Sequence, residues 1–180
     1  TPTLNSANSH ASTVNGSVPH VAEGYRFDGW YTDEECVKPV PQEWIGTDNR
    51  LIPRAVDCII SEATYYAKVV PCTLKITKKG DVQSNESFLF KVTGGNQNKT
   101  IDMVVSVTGN DSAVIQCIPF GDYTITEISS WSWKYDAPEP QTVSITSDNY
   151  NQTVEFTNTR NNNNLLGDEK NVNNRFSEYN

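Results

Sequence analysis

Two histidines are the only nitrogen ligands this chain offers a metal ion, and none of its four cysteines stand in a close pair. Zinc and thioredoxin-type sites rely on short spacings such as C-x-x-C. Cys36, Cys58, Cys72 and Cys117 are widely separated, and His10 and His20 both stand in a polar N-terminal stretch, so no metal and no cofactor is expected. No apolar run approaches the roughly 20 residues that cross a bilayer as a helix, which excludes membrane insertion of that kind. Basic residues are also in deficit. With 14 Lys and Arg against 22 Asp and Glu, the net charge of −8 argues against nucleic acid, which is bound through clustered cations. Neither G-x-S-x-G, H-E-x-x-H nor a Cys-His arrangement is present, so the chain reads as no enzyme. The N-terminus has neither the basic start nor the apolar core of a signal peptide, and the expectation is a mature or excised fragment.

Asn, Ser, Thr and short β-like runs dominate instead. Residues 1–21 and 161–180 are polar, without hydrophobic periodicity, and read as a leader and a tail, although Leu165, Leu166 and Phe176 offer docking residues. The five N-x-S/T sequons, beginning at Asn15, Asn85, Asn98, Asn110 and Asn151, are no more than such a composition produces by chance. Two blocks lie between the tails. Residues 22–71 hold "YRFDGWY", an irregular Pro-bearing middle and "ATYYAKVV", with Trp30 and Trp44 expected in a small core. Residues 72–160 hold "TLKITKK", "SFLFKVTG", "TIDMVVSVTG", "SAVIQCI", "DYTITEIS", "SWKYD", "QTVSIT" and "QTVEFTNT", separated by Gly, Asn and Asp. Short regular strands without helical periodicity predict an antiparallel β-sandwich.

The stretch "LKITKKG" at 74–80 holds an anomaly. Side chains alternate across a strand, so Leu74, Ile76 and Lys78 share one face while Lys75, Thr77 and Lys79 share the other. An apolar face that ends in lysine needs a reason, because an unpaired buried ammonium costs several kcal/mol.

Two family resemblances are carried by these residues. "GYRFDGWYTDEEC" followed by "ATYYAKVV" resembles the Listeria-Bacteroides repeat, of the internalin B type, which implies a small β-grasp-like module; the opening strand with its Asn-Gly-Gly turn is missing. "LKITKKG", "CIPFGDYTITE", "WSWKY" and "VEFTNTR", in that order, resemble the Cna-B-type domains of Gram-positive pilins and adhesins. The fold implied is mainly β: a β-grasp-like module followed by an Ig-like or prealbumin-like antiparallel sandwich. Many Cna-B-type domains join a first-strand Lys to a last-strand Asn or Asp in a spontaneous amide bond, assisted by a central acid. The resemblance puts those roles on Lys78, Asn158 and Glu127.

Strand parity tests that transfer independently. Glu127 shares a face with Tyr123 and Ile125, and Asn158 with Val154 and Phe156, as Lys78 does with Leu74 and Ile76. Lys75, Lys79 and Glu155 fall on the opposite faces and read as solvated. Burial favours the neutral, nucleophilic amine of a lysine, and a neighbouring carboxyl can polarise the carboxamide and carry the proton. A buried Lys78–Glu127 ion pair with Asn158 as hydrogen-bond partner, or a Lys78 that snorkels, is the plainer alternative.

The cysteines and aromatics leave alternatives open. Cys72 and Cys117 fall toward the same end of the sandwich, so that pair, with Cys36 and Cys58 as the other, is one disulfide arrangement; free buried thiols are the other outcome. Trp131, Trp133 and Tyr135 alternate onto one face, which binds sugar rings if exposed and fills a core if buried. The leading expectation is an extracellular, non-enzymatic stalk module of a Gram-positive surface protein, with neighbouring domains of the same protein as its partners. The rival is an adhesin domain binding glycan or host protein through those aromatics. No LPxTG-type sorting signal stands in the chain, so cell-wall attachment rests on the resemblance alone.

Overall fold

The structure, a computed structural model, describes residues 4–5, 13–14, 16–54, 63–128 and 134–161. The chain is mainly β. Among the described residues twelve strands follow in order: β1 (Leu4–Asn5), β2 (Thr13–Val14), β3 (Tyr25–Tyr31), β4 (Tyr66–Pro71), β5 (Thr73–Gly80), β6 (Ser87–Gly95), β7 (Thr100–Thr108), β8 (Ser112–Gln116), β9 (Gly121–Ile128), β10 (Tyr135–Asp136), β11 (Gln141–Ile145) and β12 (Asn151–Arg160). Among the described residues the only helices are two single 3-10 turns, Gln42–Trp44 and Thr47–Asn49.

Two compact units are formed, and each is described by itself. The first comprises Thr1–Leu74, Ile115–Gly121 and Ser144–Gln152. Its two-stranded sheet pairs β3 with β4 antiparallel, from Tyr25 opposite Pro71 to Tyr31 opposite Tyr66. A bulge between Phe27 and Gly29 removes one residue from the ladder, so six partners suffice and β4 begins only at Tyr66. The residues 63–65, expected to be strand, therefore have nothing to pair with in β3. Trp30, Val40 and Leu51 form a small core, with Phe27, Trp44, Ile45 and Tyr65 packed against it. The Trp30 indole nitrogen donates to the Asn49 carbonyl at 2.8 Å, which satisfies its polar edge. Ser17, counted with the polar leader on composition, bridges to Leu51 through two backbone hydrogen bonds. Leader residues also form the short β1–β2 ladder, Leu4 opposite Val14.

The second unit comprises Lys75–Val114, Asp122–Val143 and Thr153–Asn180. Its strands belong to two four-stranded sheets, ordered β10-β12-β5-β8 and β11-β9-β6-β7. In the second sheet β6 is central, antiparallel to β7 along its whole length and to β9 from Leu89 opposite Ile128 to Gly95 opposite Asp122. Ile76, Val154 and Phe156 from one sheet and Phe88, Phe90, Val92, Val107, Tyr123 and Ile125 from the other are buried. The rings of Phe90 and Phe156 meet across the sheets at 5.0 Å, so the inner faces interdigitate as in a sandwich.

Most pairs are antiparallel, and β5 with β12 is the exception. The Thr73 amide donates to the Tyr150 carbonyl and the Asp81 amide to the Asn158 carbonyl, so the two chains advance together. Parallel neighbours need a long connection. All the intervening strands supply it.

Candidate functional site

Strand alternation delivers three polar side chains into the sandwich core. In β5 the buried positions are Leu74, Ile76 and Lys78; in β9 they are Tyr123, Ile125 and Glu127; in β12 they are Val154, Phe156 and Asn158. Lys78 is 0% exposed and Asn158 2%. Lys75, Lys79 and Glu155 are exposed, and the last two form a surface ion pair at 2.6 Å.

The three buried groups meet. Lys78 Nζ donates to Glu127 Oε2 at 3.0 Å and to the Phe156 carbonyl at 3.3 Å. Asn158 Nδ2 donates to Glu127 Oε1 at 2.7 Å. One carboxylate therefore holds amine and carboxamide together, one on each oxygen. The Phe88 ring centre lies 4.7 Å from Nζ and closes another side of the ammonium. Burial pushes the Lys78 amine below its ordinary value, against the opposing pull of the Glu127 carboxylate. Asn158 Oδ1 is buried without a hydrogen-bond partner, an unusual position for a carboxamide oxygen in a packed core.

Close approach of β5 to β12 depends on Gly80. Its φ is +117°, and a Cβ there would stand 2.1 Å from the Asn158 carbonyl oxygen. A side chain at position 80 would separate the strands where Lys78 and Asn158 face each other. The β7–β8 turn holds the other side, with Asn110 Nδ2 donating to the Gly80 carbonyl and the Lys78 amide donating to the Asp111 carbonyl.

A second buried acid stands nearby in the same unit. Glu86 accepts from Lys134 Nζ on Oε1, and from the Tyr135 hydroxyl at 2.5 Å and the Gln83 amide at 2.9 Å on Oε2. Burial pushes its carboxyl up, but the hydrogen bonds from Lys134, Tyr135 and Gln83 outweigh that and hold it below its ordinary value. This network pins the turn before β6 to the residues around β10. Sequence reasoning missed Glu86, Lys134 and Phe88: the first two lie in turns, where alternation gives no signal, and an apolar residue on an apolar face looks like any other.

Tyr135 takes the core-filling alternative of the two open for the aromatic stripe. It is 1% exposed, its ring packs 5.9 Å from that of Phe88, and its hydroxyl is spent on Glu86 and the Asp81 carbonyl. It contributes core, not a sugar-stacking surface. Trp131 and Trp133 lie outside the described residues. Cys36, Cys72 and Cys117 are free thiols in this structure, and Cys58, expected as the partner of Cys36, lies outside the described residues. Among the described residues no cluster of His, Cys, Asp and Glu could hold a metal ion.

No curated protein matches the chain. Solved structures with a similar fold include the major pilin T3.2 of Streptococcus pyogenes, at 12% identity and a TM-score of 0.42, covering 79% of this chain and 64% of that one. The minor pilin GBS52 of Streptococcus agalactiae is similar at 16% identity and a TM-score of 0.39, covering 58% and 57%. An adhesin from Mobiluncus mulieris, described as containing intramolecular disulfide, isopeptide and ester cross-links, is similar at 16% identity and a TM-score of 0.39, covering 53% and 44%. This chain spans less than two thirds of the length of each. Residues 72–161 match the family DUF5979, described as a domain of unknown function.

Proposed function

The chain belongs to the DUF5979 family, and we propose that its residues 72–160 serve as an extracellular, non-enzymatic stalk module of a bacterial surface protein, locked by an amide bond between Lys78 and Asn158. Residues 22–71 precede it as a smaller module of the Listeria-Bacteroides-repeat type. The observation that carries the reading is that one buried carboxylate, Glu127, touches both reacting groups, at 3.0 and 2.7 Å.

The chemistry balances with these three residues alone. Lys78 passes a proton to Glu127 through their hydrogen bond, which leaves a neutral amine beside a carboxylic acid. Rotation of the Asn158 carboxamide by half a turn sets its oxygen, unpartnered now, against that acid, whose hydrogen bond polarises the carbonyl. The amine attacks the Asn158 carbonyl carbon, the C–N bond to the original amide nitrogen breaks, and Glu127 relays the proton that lets it leave as ammonia. Holding the groups in contact replaces a bimolecular encounter, which in well-oriented intramolecular reactions is worth up to ~7–11 kcal/mol of barrier. The dry surroundings keep water from competing.

The product would close a loop of about 80 residues, worth roughly 4.5 kcal/mol by the loop-entropy estimate used for disulfides, and it would resist reduction. The bond forms once per molecule, so the chain is its own substrate. Intact-mass measurement of the purified chain tests the reading: loss of one ammonia in the parent, and no loss in Lys78→Ala, Glu127→Ala or Asn158→Ala. A parent at its full, unshifted mass, allowing for disulfides, means that Lys78 and Glu127 form an ion pair and nothing more.

A further inference from the structure

Independently of the Lys78 chemistry, three backbone segments of the first unit converge on two thiols. The Cys72 amide donates to the Gly24 carbonyl at 2.8 Å, and the Ile118 amide donates to the Cys72 carbonyl at 3.2 Å. Cys72 is thus held on one side by the turn at Gly24 and on the other by the peptide that joins Cys117 to Ile118. Gly24 in turn abuts Cys117: its φ is +85°, and a Cβ there would stand 2.1 Å from the Cys117 carbonyl oxygen. Cys117 itself has a φ of +55°, the left-handed region that costs a residue with a Cβ and that glycine would occupy freely. The neighbouring Cys117 side chain raises the Tyr25 hydroxyl above its ordinary pKa.

The two thiols differ in access. Cys72 is fully buried, whereas Cys117 is partly exposed. Burial raises the Cys72 thiol, the Arg26 charge pulls it back down, and Cys117 raises it again. Cysteine in a strained backbone position beside a second, buried cysteine has a chemical use that glycine or asparagine would lack.

We infer that Cys72 and Cys117 are a dithiol site that closes to a disulfide by exchange with an external disulfide, Cys117 reacting first and Cys72 resolving. The Cys117 thiolate attacks one sulfur of a small-molecule or oxidoreductase disulfide, forms a mixed disulfide and expels the other sulfur as a thiolate. The Cys72 thiolate then attacks the Cys117 sulfur, expels the second thiolate and leaves the Cys72–Cys117 bond. The two cysteines lose two hydrogens, and the external disulfide is reduced to two thiols. The order follows from access, since an external disulfide reaches Cys117 and does not reach Cys72.

Oxidised glutathione is a suitable probe for the full chain, read by peptide mapping without reductant. The expected result in the parent is a Cys72–Cys117 linked peptide with no glutathione retained on either of these two cysteines. Cys72→Ser should trap Cys117 as a stable glutathione adduct, and Cys117→Ser should leave Cys72 unmodified in the folded chain. A glutathione adduct that persists on Cys117 in the parent while Cys72 stays reduced overturns the proposal. So does a parent in which both thiols stay unmodified. Because the parent itself gives the deciding reading, poor folding of a variant does not remove the test.

Discussion

The ammonium nitrogen of Lys78 lies 4.7 Å from the centre of the Phe88 ring while it donates to Glu127 and to the Phe156 carbonyl. The contact acts in two opposed ways. A ring face attracts the charged amine, but the same ring keeps out the water that would hold it charged more strongly.

Exclusion of water is the larger effect for a fully buried amine, so opening the site should slow the proposed amide formation. Phe88→Ala should lower the fraction of molecules that have lost ammonia, read by intact mass. In an Asn158→Ala background, where no bond can form, the same change should cost about 3–5 kcal/mol in a urea titration, as large aromatic deletions do. An unchanged ammonia loss would mean that Phe88 only fills space.

The lowered pKa of Lys78 sets a pH dependence that can be read once the bond is prevented. Its ordinary value is 10.5, and in the folded chain it lies below that, burial being the main cause. Between the folded and the ordinary value the unfolded chain binds the extra proton, so stability rises with pH across that window and the penalty is complete below it. Asn158→Ala should therefore gain stability as pH climbs toward 10.5, and Lys78→Met in the same background should gain less. Parallel pH profiles for the two variants would contradict this account.

Glu86 makes the opposite prediction at the acid end. Its folded pKa is below the ordinary 4.5, despite burial, because of Lys134, Tyr135 and the Gln83 amide. That contribution is present above 4.5 and is lost as pH falls through the folded value. Glu86→Gln should be less stable than the parent near neutrality, and the gap should narrow on acidification. Thermal unfolding measured across pH checks it; a constant gap would assign Glu86 a packing role only.

Much of this arrangement is legible in the sequence because a strand has a period of two. Once "LKITKKG", "DYTITEIS" and "QTVEFTNT" are read as strands, parity alone turns Lys78, Glu127 and Asn158 inward and Lys75, Lys79 and Glu155 outward, as the burial of each shows. Parity cannot say which inward residues touch, since that depends on the pairing of strands far apart in sequence. Glu127 stands opposite Phe90 on β6, and no local pattern near either residue encodes that register. Glu86 and Lys134 were invisible for a different reason. They lie outside regular strands, and their partnership spans 48 positions with only tertiary packing to bring them together. The bulge at Phe27–Gly29 and the bridge from Ser17 to Leu51 are of the same kind.

The parallel pairing of β5 and β12 bears on the stalk role proposed above for residues 72–160. Within the second unit the backbone runs in along β5 from Lys75 and out along β12 to Arg160, so these points lie at opposite ends of one strand pair. Tension drawn through the backbone then loads that pair in shear, and its hydrogen bonds must yield together instead of unzipping one by one. With Lys78 joined to Asn158, the load path would run from Lys75 to Lys78, across the amide, and out past Asn158. Residues 79–157 would carry no tension, and the module would transmit a pull without lengthening.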